Sequence, residues 1–507
     1  MPTQHLTWRE AAPSIWQRDI DEIEKSYTAL IRQYAGSGRM EFAITGHITV
    51  SVSVENDSPA DTASRLEDAL RVAWLWLRND NPTIASLVYF DKQLGKPQKR
   101  YETIRDEASR SAWLEKTFKT ISCGQTGAEW ANSDPPAPEE ATLFMVEPPA
   151  THPSDIQRDL ILRSPHTIID GIGTLNLFNN LLIHFSRLFS SPSPAALPTL
   201  SGAETALLSP PYRIAAKIPS PPTLSQQALL AALQQPPHPD TASLPSLTLP
   251  YNPGPMLPGK HQRTALTLTL SQTSRLLTAL KSHPGPPTVT HAFHAAIALL
   301  LRNISTTLSN PPTSTSPLVR LPAYILRNER PYLPSPYNTP SHAVAAYHSL
   351  ARGKQEITLS STPSPDSHQE FEQVMEQIRN YYLSAFSHSL EDHPTLAAYV
   401  FSTFTPDVPL DEGVMVPVPP PNEKPGVSLS SMGVVDRIIE PVRGVVEAGD
   451  PWVVGEELGS GLGCFLGTWR GRLTLSAAWN ESWHGKEEVE GFLERCVGVV
   501  MGWVDDL

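Results

Sequence analysis

Proline fixes φ and donates no backbone hydrogen bond, so a stretch dense in it cannot lie inside a long helix or a central strand. Residues 190–260 of this chain are such a stretch. They run through SSPSPAALPTL, LLSPPYRIAAKIPSPPTL, QQPPHPD and LPYNPGPMLPGK with a single short helical candidate, LSQQALLAALQQ. Shorter proline-rich breaks at 134–138, 310–317 and 406–425 punctuate the parts on either side. The total, 51 prolines in 507 residues, can mean disorder, but 40% hydrophobic and only 18% charged residues are ordinary for a chain that buries a core. The expected organisation is therefore a first unit over 1–190, a proline-rich crossover over 191–260 and a second unit over 261–507.

A formal charge of −13, from 39 Lys+Arg against 52 Asp+Glu, repels a phosphate backbone, and no run of four basic residues offsets it. Nucleic acid is thus excluded as an expected partner. The three cysteines, Cys123, Cys464 and Cys496, are spaced for neither a disulfide framework nor a zinc site, which points to a reducing compartment and to buried thiols at 464 and 496. The start, MPTQHLTWREAAPSIWQRD, lacks the apolar core of a signal peptide. The stretches ALRVAWLWL and VGVVMGWV fall short of the ~20 apolar residues a membrane span needs. The expectation is a soluble cytoplasmic protein, a monomer, with no membrane span.

Helical and strand periods alternate along both parts. After Asn56-Asp57-Ser58-Pro59, a capping signal, Leu66, Leu70, Ala73, Trp74 and Leu77 repeat at helical spacing until Asn79-Asp80-Asn81-Pro82 stops them. MEFAITGHITVSVSVE alternates as a strand or hairpin, and TLFMVE and DLILRS read as short buried strands. Directly after the last comes PHTIIDGIGTLNLFNNLLIHFSRLF, in which Ile172, Leu175, Phe178, Leu182 and Phe185 take a helical period. The second part offers TALTLTLS as a strand, SQTSRLLTALKSH as a helix with a serine cap, and a buried alanine- and leucine-rich helix opened by Thr290. LVRLPAYILRNERPYL and GRLTLSAAWNES read as strands, and KEEVEGFLERCVGVVMGWV as a last helix. Gly459, Gly461 and Gly463 lack the spacing of a dinucleotide loop. The fold class is α/β or α+β, with two similar-sized halves.

One motif stands out, His166-Thr-Ile-Ile-Asp170-Gly171. His-x-x-x-Asp-Gly arises by chance in roughly one 500-residue chain in twenty to thirty, so its setting matters more than its letters. A histidine in a turn between a buried strand and a long helix is held rigidly at the rim of a cleft. By its residues alone it is either a base or a histidine satisfied in a strand-end turn. Gly-x-Ser-x-Gly is absent, which disfavours an α/β-hydrolase. His291 and His294 have no further ligand spaced for a metal, and His484 in ESWHGKEE reads as part of a solvated turn.

The stretch RSPHTIIDGIGTLNLF resembles the active-site motif of the chloramphenicol-acetyltransferase-like superfamily, which includes plant BAHD acyltransferases, peptide-synthetase condensation domains and fungal trichothecene O-acetyltransferases. ASRLEDALRVAWLWLRNDNPTIAS, PPTVTHAFHAAIALLLRN, NERPYL and VSLSSMGVVD are similar to further segments of that superfamily, in the right order. The plant Asp-Phe-Gly-Trp-Gly motif is missing, GSGLGCFLGTW standing in its place, and Pro165 stands where many condensation domains double the histidine. The resemblance is strongest to the fungal trichothecene 15-O-acetyltransferase type.

That resemblance implies two chloramphenicol-acetyltransferase-like subdomains with a channel at their interface. It implies transfer of an acyl group, most simply acetyl, from a coenzyme A thioester to a hydroxyl of a hydrophobic secondary metabolite, a terpenoid or polyketide. His166 would be the general base, since imidazole titrates near the working pH. Asp170 would be structural, in an ion pair with Arg330 or Arg327, and Gly171 would permit a tight turn and keep the channel floor clear. Ser430 and Ser431 are candidate oxyanion donors or simply strand residues, and Lys260, His261 and Arg263 form a candidate cluster for the phosphates of coenzyme A. Acetyl-CoA enters as co-substrate, with no bound cofactor and no metal. Two other readings stay open: an enzyme of the same fold that uses a carrier-protein donor or catalyses cyclisation, and a non-catalytic member that binds a small molecule or partner protein. Deleting 191–258 is expected to uncouple the halves while leaving each core intact.

Overall fold

The computed structural model of the chain describes residues 3–54, 58–149, 155–191, 196–234, 244–308, 318–351, 353, 356–389 and 391–506. Two large sheets organise them. The first has the strand order Val442–Arg443, Val446–Gly455, Ile44–Ser53, Asp155–Ser164, Thr142–Val146, Phe118–Ile121. The second runs Val427–Val434, Leu462–Trp469, Arg472–Asn480, His261–Thr267. A smaller antiparallel sheet, Arg9–Ala12, Ile15–Asp19, Lys96–Glu102, Ser86–Asp91, flanks the first half and had no alternating signal strong enough to be read in advance.

Each large sheet buries one face under helices. Ser58 caps the helix Pro59–Asp80, with proline at its first turn, and this helix packs beside Gly171–Phe189. Leu66, Leu70, Trp74 and Leu77 of one meet Leu175, Phe178, Leu182 and Phe185 of the other in a single apolar core over the first sheet. In the second half Leu270–Ser282, Val289–Leu308, Ser367–Ala385 and Lys486–Asp505 cover the second sheet, and Cys464 and Cys496 lie buried among them. Among the described residues no helix is long and apolar enough to cross a membrane, and no group of three His, Cys, Asp or Glu side chains is gathered to hold a metal.

The helix caps differ from those expected. Thr269, with Gln272 in a capping box, opens Leu270–Ser282, and Ser271 lies inside the helix. Thr288, not Thr290, accepts the His291 N–H at the start of Val289–Leu308. The segment taken as one long strand at LVRLPAYILRNERPYL is two short ones, Leu318–Leu321 and Ile325–Asn328, followed by a single 3-10 turn, Arg330–Tyr332. Pro322 explains the break between the strands, because it cannot donate to a strand partner, and Pro331 opens the 3-10 turn.

Two features depart from a division into separable halves. The strand Val446–Gly455 belongs to the stretch assigned to the second unit, yet it pairs antiparallel with Ile44–Ser53, from Val446 opposite Val52 to Gly455 opposite Ile44. Its Val446, Ala448 and Val453 are buried in the first core. The crossover, too, is more than a tether. It contains the helices Tyr212–Ala215 and Leu224–Leu233, and Tyr212, Ala215 and Ile218 pack with Ile23, Tyr27 and Tyr347 in a core of their own. Removing 191–258 would therefore strip a core, contrary to the expectation above.

Phe178 ties the long helix of the first half to its sheet, with its ring against Gly46, where an added Cβ would lie 3.0 Å from Phe178 Cε2. Phe178→Ala is expected to cost about 3–5 kcal/mol, read as a fall in the midpoint of chemical denaturation.

Candidate active site

Strand Asp155–Ser164 ends under the first core, and the chain turns through Pro165 and His166 before Asp170 caps the next helix. The Ile168 N–H donates to the Pro165 carbonyl at 3.0 Å, closing the turn. Asp170 Oδ1 accepts the Gly173 N–H at 2.7 Å, so the carboxylate serves as an N-cap in the ordinary way. The same group does a second job. Arg330 Nη1 donates to both Asp170 oxygens at 2.8 Å, Arg330 Nη2 donates to the carbonyls of Ala343 and Ala345, and the Tyr347 N–H donates to Asp170 Oδ2 at 2.7 Å. Burial alone would raise the Asp170 pKa, but Arg330 and His348 outweigh it and hold the carboxyl well below its usual range. Arg327, the other candidate partner, pairs instead with Glu329.

His166 is half-buried and lines a cavity. Its imidazole stacks on the Tyr27 ring at 3.8 Å between centroids and 10° between planes, and the His348 ring lies 5.3 Å away. Burial, reinforced by His348, pushes its pKa down to about 3, so the ring is neutral at any physiological pH. From the other side a buried cation braces the turn: Lys99 Nζ donates to the Thr167 carbonyl at 2.7 Å while pairing with Glu24, which also takes Arg18. No motif announces Tyr27, His348, Glu24 or Lys99, and the sequence reading missed all four.

The cavity, about 280 Å³, lies where strand Val427–Val434, strand Ile325–Asn328, helix Glu22–Tyr34 and the strand shared between the halves converge. Leu30, Phe42, Ile172, Leu326, Leu350, Phe401 and Phe404 make most of it apolar. Ser428, Ser430 and Ser431 line it, and the first two, being two apart on one strand, share a face. Gly171 lines it as well, but not for the reason expected. It has no left-handed φ; what it provides is clearance, since a Cβ there would lie 3.0 Å from Met432 Cε. The sharper constraint falls on Gly173, where a Cβ would sit 2.3 Å from the Ala343 carbonyl and 2.8 Å from Arg330 Nη2.

A second cavity of about 330 Å³ adjoins the first, the two sharing Met432, Val453 and Phe465 as walls. Its chemistry is different. Arg263 and Arg472 line it beside Trp452, Trp469 and Asp450, and the Arg263 guanidinium lies 4.1 Å over the Trp452 ring. Burial pushes that guanidinium down to about 10. The other two members of the basic cluster do not join it. Lys260 is exposed and lines neither cavity, its backbone pairing with Glu481. His261 is buried with its Nδ1 accepting the Glu457 N–H, and burial pushes it down to about 4, so it carries no charge for a phosphate. His484 is likewise buried, its Nε2 donating to the Ser460 carbonyl at 2.9 Å, and not part of a solvated turn. His291 and His294 sit against Tyr382 in the second core.

No protein-family model matches the chain. It is 25% identical over 490 residues to the O-acetyltransferase pigM of Monascus ruber, covering 94% of this chain and 84% of that one. It is 24% identical to the acetyltransferase pigO of the same fungus, covering 98% of both. Among solved structures, the TRI3 trichothecene 15-O-acetyltransferase from Fusarium sporotrichioides superposes with a TM-score of 0.77 over 98% of both chains at 16% identity. The two-lobed fold is therefore that of the chloramphenicol-acetyltransferase-like proteins.

Asp170→Asn leaves Arg330 buried without its counter-charge and is expected to cost about 3–5 kcal/mol. Because the folded carboxyl titrates below its unfolded value of ~3.9, the stabilisation is complete above that pH and is lost only as pH falls through the folded value. Denaturation melts should accordingly give the same deficit at every pH between about 5 and 8.

Proposed function

We propose that this chain, an acyltransferase similar along its length to two fungal acetyltransferases, moves an acetyl group from acetyl-CoA to a hydroxyl of an apolar small molecule, with His166 as general base. The observation that carries the reading is a neutral imidazole facing an apolar cavity that adjoins a second cavity lined by two guanidinium groups and two indoles. Those two chemistries suit the two reactants. Arg263 and Arg472, with Trp452 and Trp469, would hold the phosphates and adenine of coenzyme A, while the first cavity would take the acceptor. Lys260 is not needed for this. A terpenoid or polyketide alcohol fits the apolar walls, and the structural neighbour named above acts on a trichothecene.

In the reaction, the acceptor hydroxyl gives its proton to His166 as its oxygen forms a bond to the thioester carbon. The carbonyl oxygen becomes an oxyanion, for which the Ser430 or Ser431 hydroxyl would be the donor. The carbon–sulfur bond then breaks, and the imidazolium returns the proton to the departing thiolate. No acyl-enzyme forms, and no group of the chain other than His166 carries a proton through the cycle. Asp170 and Arg330 touch neither reactant; they fix the turn on which His166 stands.

The test is coenzyme A release from acetyl-CoA with a panel of hydroxylated terpenoids and polyketides, the wild type beside His166→Ala. The variant is expected to lose about 10²–10⁴-fold in rate; equal rates would sink the base assignment, and binding of apolar ligand without turnover by either protein would favour a non-catalytic role. With His166 neutral down to about 3, the wild-type kcat/KM should show no inflection near the ordinary imidazole value of ~6.5. A pH profile from about 5 to 8 checks this.

A further inference from the structure

Helix Glu22–Tyr34 presents two side chains to the His166 turn from one face. Glu24 reaches it through Lys99, whose ammonium donates to the Thr167 carbonyl, and Tyr27, three residues on, lays its ring flat on the imidazole. A flat stack needs something to fix the tyrosine in its own plane. Its hydroxyl is 2.8 Å from His348 Nε2, and His348 Nδ1 faces Asp170 Oδ2 at 3.6 Å. The Asp170 carboxylate favours the His348 tautomer with its proton on Nδ1, which leaves Nε2 to accept the O–H of the Tyr27 phenol, itself held protonated by burial. The next residue back, Tyr347, is itself tied to Asp170 through its backbone N–H. One carboxylate thus anchors the near end of the catalytic turn and, through His348, the far end of the ring that covers it.

We propose that Tyr27 and His348 are positioning residues for His166: the Tyr27 ring fixes the plane of the imidazole and shields one face from water, and His348 locks that ring by hydrogen-bonding its hydroxyl. This rests on the proposed role of His166 as base. The pair brings together residues 321 apart in sequence, joining the first helix of the chain to a strand of the second half. It leaves the imidazole edge turned to the cavity as its free edge. The titratable and charged groups facing His166 are Tyr27 on that helix, His348 on strand His348–Ala351, Asp170 on its own turn with Arg330 behind it, and Tyr324, Arg327 and Glu457 on the cavity wall.

The experiment reads the imidazole directly and needs no acceptor. Diethyl pyrocarbonate acylates neutral imidazole, so the rate of modification at His166, followed by peptide mass spectrometry between about pH 5 and 8, traces the protonation of that one ring. In the wild type the rate should stay flat. In Tyr27→Leu, which opens a face to water, the rate should fall below about pH 6.5 as the ring regains an ordinary pKa. Tyr27→Phe, which keeps the stack, should stay flat. A flat profile in Tyr27→Leu would overturn the proposal. Should Tyr27→Leu fail to fold, Tyr27→Met, which fills more of the space but leaves no flat ring on the imidazole, reads the same limb, and His348→Phe, which removes only the hydrogen bond to the Tyr27 hydroxyl, should follow Tyr27→Phe.

Coenzyme A release from acetyl-CoA with benzyl alcohol as a generic acceptor gives the second readout. Tyr27→Leu should lose about 100-fold in kcat with KM unchanged, and Tyr27→Phe should recover to within about tenfold of wild type. Loss in His166→Ala with no loss in Tyr27→Leu would reject the positioning pair alone. No loss in His166→Ala would reject the base assignment on which it stands.

Discussion

A carboxylate and a guanidinium 160 residues apart in the chain, Asp170 and Arg330, meet at 2.8 Å in a site closed to water. Stripping two charges of water costs several kcal/mol per ion, so such a pair earns its place only where its geometry is complete. Here it is. Both carboxylate oxygens accept backbone N–H groups, from Gly173 on one side and Tyr347 on the other, and the guanidinium spends its second nitrogen on the carbonyls of Ala343 and Ala345. The arrangement fixes the register of one half of the molecule against the other. The turn bearing His166, the strand bearing His348 and the 3-10 turn bearing Arg330 all take their positions from it. Gly173 is what lets the two backbones come close enough, since any side chain there would strike Arg330.

What the sequence disclosed, and what it withheld, follows from how each feature is encoded. The helix Gly171–Phe189 was legible because its apolar residues repeat every turn, and the turn before it because three residue types stand at a fixed spacing. Arg330 was within reach as one of two arginines in a short segment, and only the placement of Glu329 beside Arg327 separates them. Tyr27 and His348 could not have been found this way. Each is an isolated residue whose partner is supplied by tertiary packing across 321 positions, and no period or motif records such a meeting. The basic cluster failed for a simpler reason. Lys260, His261 and Arg263 are neighbours in sequence, but exposure, burial and a cavity wall divide them in the fold.

The two adjoining cavities give the site a chemical gradient. Met432, Val453 and Phe465 stand between a space walled by leucine and phenylalanine and one walled by indole and guanidinium. The apolar side offers water few hydrogen-bonding partners near the imidazole. The same walls desolvate the His166 imidazole.

Strand Val446–Gly455 lies second in the first sheet's order, between Val442–Arg443 and Ile44–Ser53, although it is made long after the latter. On the ribosome, strand Ile44–Ser53 must wait with one edge unpaired while nearly the whole chain is synthesised. The N-terminal half cannot mature as a finished domain ahead of the C-terminal half; the two are committed together, late, by one closing strand. A prematurely terminated chain would therefore carry a complete His-x-x-x-Asp-Gly motif on an open sheet, and a bare hydrophobic edge is an invitation to aggregate.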